Sequence, residues 1–63
     1  MDNETLQYID ELLFSADQNL TSFLTFIQML PQFNLEVTKG LVIGIGKLQH
    51  ARQVIAEVQK ENE

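Results

Sequence analysis

The chain has 63 residues, 44% of them hydrophobic and 21% charged, with no Cys, no Trp and a single His. That length allows one small domain, and the missing cysteines exclude disulfide stapling and the usual structural zinc site built from one chain. Nine acids against four bases give a net charge of -5, which argues against a phosphate-dominated nucleic-acid partner and against an anionic membrane surface.

The sequence begins Met1-Asp2-Asn3-Glu4, acidic where a secretory signal would be basic, and its longest apolar run, residues 40–46, is far short of a bilayer span. A cytoplasmic protein with no membrane segment is expected. From there Leu6, Ile9, Leu13, Ala16, Leu20, Phe23, Ile27 and Leu30 recur in alternating steps of three and four, which keeps them on one helical stripe. Leu12 and Leu24 widen that stripe. The spacing predicts one long helix over about residues 4–30. Ser15-Ala16-Asp17-Gln18 has the form of a capping box and offers a competing break, but the stripe crosses Ser15 without a change of phase.

Leu30-Pro31-Gln32-Phe33-Asn34 is the one strong interruption. Pro31 disfavours the helical region at Leu30 and lacks an amide donor, and Asn34 is a good helix N-cap. A turn is predicted at 31–34. Beyond it Val37, Leu41, Gly44, Leu48, Ala51, Ile55 and Val58 repeat the four-three alternation, predicting a second helix over about 35–60. Glu36 falls in its first turn, where negative charge suits the helix dipole. Residues 40–46 are the weak stretch, with three glycines and β-branched neighbours that would also suit a strand, so a local hairpin turning at Lys39-Gly40 is the alternative. Gly44 sits on the seam and the period continues on both sides, which favours helix.

An antiparallel hairpin turning at 31–34 sets residue i opposite roughly residue 65 minus i. Leu20 then faces Gly44 or Ile45, Ala16 faces Leu48, Leu13 faces Ala51, Ile9 faces Ile55 and Leu6 faces Val58, so large meets small at successive levels. The same arithmetic brings Asp17 near Lys47, and Asp10 with Glu11 near Arg52. Residues 1–34 carry five acids and no base, whereas 35–63 carry four acids and all four bases. The fold expected is all-α, a single helical-hairpin domain over 1–63. The seam residues named above form its core, and the hairpin dimerises into a four-helix bundle.

The dimer is expected because a two-helix hairpin has only one mutual contact, which leaves much apolar surface in water. Phe14, Phe26, Met29, Phe33, Val42, Ile43, Ile45 and Val54 are the candidate partner interface, and Tyr8 adds to the excess. No chemistry-bearing constellation competes with this. Gly44-Ile45-Gly46-Lys47 lacks two parts of a phosphate-binding loop, since Leu41 and Leu48 hold the places of the required Gly and Ser or Thr. The Gly40 and Gly44 spacing reads as close helix packing, and His50 as an edge residue with no nucleophile held beside it. No catalytic, cofactor-binding or metal-ligating residue is assigned.

The expectation is therefore a non-enzymatic interaction module without a cofactor, binding itself and a protein client as adaptor, co-chaperone or inhibitor. In size and architecture the expected hairpin dimer is similar to the plasmid-copy-control RNA-binding hairpins, which implies RNA binding as the alternative. It is also similar in architecture to small co-chaperones of type III secretion needle subunits, which implies a protein client. The charge balance ranks the protein client above RNA.

Overall fold

The computed structural model describes residues 1–32 and 34–63, and consists of two α-helices, α1 (Asn3–Gln28) and α2 (Leu35–Glu61), packed antiparallel as a hairpin. α1 passes through Ser15 without a break, and residues 40–46 are helical. α1 stops two residues before the expected end at Leu30. Met29 is its C-cap, and Pro31 keeps Leu30 from continuing the helix.

Side chains fix where both helices begin. Asp2 accepts a hydrogen bond from the Thr5 amide at 2.7 Å, and Asn34 accepts one from the Val37 amide at 3.1 Å, so each satisfies an amide that the first turn leaves unpaired. Glu4 and Glu36 lie in the first turns of α1 and α2, and Lys60 in the last turn of α2, all with the sign the helix dipole favours. Asn34 also organises the turn through its carbonyl, which accepts from the Thr38 amide at 3.1 Å and the Thr38 hydroxyl at 3.0 Å. Asn34→Ala removes the cap and is expected to cost about 1 kcal/mol, readable as a lower urea midpoint at unchanged m-value.

Opposite charge and matched amides register the two helices. Arg52 donates to both carboxylate oxygens of Asp10, from Nε at 2.9 Å and Nη2 at 3.3 Å. Gln59 donates to Gln7 at 3.3 Å, and the Asn62 amide reaches the Met1 carbonyl and the Asn3 side chain, both at 3.1 Å. These pairs sum to between 62 and 66, bracketing the expected 65. The expected approach of Asp17 to Lys47 is not seen. Among the described residues Asp10–Arg52 is the one ion pair, and Asp17 accepts from the Thr21 hydroxyl instead. At 100° per residue Asp17 lies on the Asp10 flank of α1, while Lys47 lies on the flank of α2 away from Arg52. Glu11 likewise takes a bond from Gln7 on the outer side of α1.

The seam between the helices is thin. Leu6 and Ile27 are buried, and Ile9, Leu13, Ala16, Leu20, Leu41, Gly44, Leu48, Ala51, Ile55 and Val58 are half-buried. Three expected core residues lie outside it: Phe23 is 50% exposed, Leu30 41% and Val37 45%. Leu24, Thr38 and Ile45 take the inward positions near the turn. The cause is geometric. Seven residues fall about 20° short of two full turns in a straight helix, so along α1 the inward position passes from Phe23 to Leu24, while on α2 Thr38, Leu41, Ile45 and Leu48 keep the three-four spacing one residue on from Val37 and Gly44. Thr38, among the described residues the one buried polar side chain, satisfies its hydroxyl on Asn34.

Candidate interaction surface

Two such helices make a rod of 49 × 15 × 12 Å. Its radius of gyration is 14.7 Å, against about 10.6 Å for a globular chain of this length. The consequence is surface. The molecule exposes 4912 Å², where monomeric globular proteins of 7.2 kDa expose about 4100 Å². The excess, about 800 Å², equals one partner's share of a standard protein–protein interface.

That surface has two unlike sides. On one, the Arg52 guanidinium grips Asp10 and lies over the Phe14 ring, 4.7 Å from its centroid. This contact covers part of Phe14, leaving it 46% exposed, and adds a cation–π attraction. The Asp10 hydrogen bonds, with the nearby charge of Asp17, raise the already high Arg52 pKa. Gln49, Gln53, Ala56 and Gln59 continue this side as a shallow polar depression.

The other side is apolar. Helical phase places Leu12, Phe23 and Leu30 on the flank of α1 opposite Asp10 and Asp17, with Tyr8 and Phe26 at its outer edge. It places Val37 and Val54 on the flank of α2 opposite Arg52, with Ile43 at the outer edge. Because Asp10 and Arg52 meet across one side of the hairpin, these two flanks share the other. All eight side chains are exposed, from 41% for Leu30 to 62% for Tyr8. Gly44 and Ala51 form the floor between them on α2, and a Cβ added at Gly44 meets nothing within 4 Å.

The candidate interface named from sequence is thus divided. Phe26, Ile43 and Val54 belong to the apolar side, Phe14 and Val42 to the polar one, and Met29 is exposed at the turn pole. Ile45 is half-buried between the helices, and Phe33 lies outside the described residues. Sequence reasoning had placed Phe23, Leu30 and Val37 in the core, and these complete the apolar side. For Phe23 the missed signal was the phase drift of a straight helix; Leu30 lies past the end of α1. His50 is exposed, and among the described residues no group of three or more His, Cys, Asp or Glu side chains could hold a metal ion. Nor is any described helix long and apolar enough to cross a membrane.

Comparison of the chain with protein-family models, with curated proteins and with solved structures gives no match.

The Asp2 cap gives a pH dependence. The Thr5 amide, and secondarily the Thr5 hydroxyl, hold the Asp2 carboxyl below its ordinary value of 3.8. A carboxylate whose folded pKa is depressed stabilises the fold fully above the unfolded value and loses that contribution as pH falls through the folded one. Asp2→Asn can still cap but does not titrate there. Its helicity, followed by circular dichroism from pH 5 downward, is expected to fall less steeply than that of the parent chain.

Proposed function

We propose that this chain is a non-enzymatic protein–protein interaction module, an acidic helical hairpin that pairs with a second copy and offers its remaining surface to a protein client as adaptor, co-chaperone or inhibitor. The apolar side carries this reading. A lone rod of two helices leaves Leu12, Phe23, Leu30, Val37 and Val54 in water along one side, broken by the level of Asn19 and Lys47, and large apolar side chains gathered on one exposed face mark an interaction site. A second copy is the economical cover, since the same patch then serves on both partners and closes the assembly. Once that side is covered, the outer side of α1, with Glu4 and Glu11 exposed, and Met29 at the turn pole remain for a client with a basic or apolar groove.

Sedimentation equilibrium at micromolar concentration tests the pairing, with a mass of twice 7.2 kDa expected. A stable, well-folded monomer overturns it. An RNA titration repeated across salt concentrations tests the partner class. No steep salt slope is expected, and steep salt-dependent binding would replace the protein client with RNA.

A further inference from the structure

The apolar side has an internal order along the rod, and that order fixes how two copies fit. From the turn pole toward the chain termini, α1 presents Leu30, Phe23, Asn19 and Leu12. At the corresponding levels α2 presents Val37, Gly44, Lys47 and then Ala51 with Val54. Both helices therefore run apolar, apolar, polar, apolar. Phe23, the ring among these three apolar side chains of α1, stands level with Gly44, a half-buried glycine beside which, as beside Gly40 and Gly46, space is open. Asn19 stands level with Lys47, so the polar band of one helix meets the polar band of the other.

Two symmetric pairings can bring these sides together. With the two-fold axis across the rod, α1 lies on α1 of the second copy and the turns sit at opposite poles. With the axis along the rod, α1 lies on α2 of the second copy and both turns share a pole. Charge separates them. Residues 1–34 carry five acids and no base, and all four bases lie in 35–63, so the first pairing sets acidic helix on acidic helix and the second sets it on the helix that carries every base. The second pairing also keeps residue levels aligned, which seats Phe23 on Gly44 and Leu12 on Ala51 and Val54 as an interdigitated core requires.

We infer that two copies associate in parallel about an axis running along the rod, α1 of each on α2 of the other, with Phe23 of one seated at Gly44 of its mate. This rests on the pairing proposed above and adds its geometry. The polar side, with Asp10, Arg52 and Phe14, stays outside. Each copy contributes a surface of the size set by the excess of about 800 Å², which doubled is about 1,600 Å², the standard size of a stable specific interface.

The chain has no cysteine, so single thiols report the arrangement. Gln32→Cys marks the turn pole and Asn3→Cys the opposite one, on a rod 49 Å long. A short bismaleimide is expected to cross-link Gln32→Cys chains to each other at high yield, and to give little product from an equimolar mix of the two variants beyond the self-linked species. Cross-links confined to the mixed pair overturn the parallel arrangement. So does a sedimentation dimer in which neither combination reacts. A monomer in sedimentation instead overturns the underlying pairing. Gly44→Leu is expected to weaken association at least tenfold at retained helicity, while Gly46→Ala, on the outward side of α2, leaves association unchanged; equal effects from the two remove Gly44 as the seat.

Discussion

Phe23→Asp is expected to convert the paired hairpin into a monomer at concentrations where the parent chain is paired. Phe23 is half-exposed in the single copy, so the substitution leaves the seam of Leu20, Leu24 and Ile27 intact. In the pair it takes the ring out of the Gly44 seat and puts a carboxylate in the apolar band, a turn away from the Lys47 level. An unpaired buried charge costs several kcal/mol, and each 1.4 kcal/mol is a factor of ten, so dimerisation should weaken by about a hundredfold or more. The thermal midpoint of the parent chain should rise with protein concentration, as linked association requires, and that dependence should vanish in the variant. A concentration-independent midpoint in the parent chain would remove self-association from the account.

Ile27→Ala acts on the other layer. Ile27 is one of two buried apolar side chains among the described residues, and it sits in the last turn of α1, where Leu24 and Ile45 also point inward. Truncating a buried isoleucine to alanine costs about 2–5 kcal/mol. A 63-residue hairpin has a stability of about that size or little more, so Ile27→Ala should be largely unfolded by circular dichroism at low micromolar concentration. Leu35→Ala, at a residue 55% exposed, is the comparison and should fold as the parent does. The two substitutions separate loss of the seam from loss of surface.

The contrast between these variants also shows how far the sequence could be read. The second helix's cap, the turn and the hairpin were legible because each has a local chemical cause: Asn34 supplies an acceptor to a bare amide, and Pro31 disfavours helix at the residue before it; the Asp2 cap of α1 went unread. Register was legible from the matching of Asp10 with Arg52. What the pattern concealed was which flank each border residue occupies. Phe23 and Leu24 are neighbours in sequence, both apolar, and a strict heptad prefers Phe23. A straight helix instead turns Leu24 inward by the time the chain nears its bend, while on α2 the inward stripe of Thr38, Ile45 and Arg52 runs one residue on from that of Val37, Gly44 and Ala51. Two long apolar stripes of nearly equal merit differ only by this slow rotation. It depends on how much two helices supercoil, which no single residue encodes. The Asp17–Lys47 expectation failed for a related reason: level along the rod was right, but side was not.

Asn62 bonded to Met1 and Asn3 brings residues 1–3 and 62 to one tip, with the connection between α1 and α2 at the far tip. The order in which the helices are synthesised is therefore immaterial to their contacts. A circular permutant, joined through a short glycine linker between Glu63 and Met1 and opened after Gln32, would retain every interhelical bond described above.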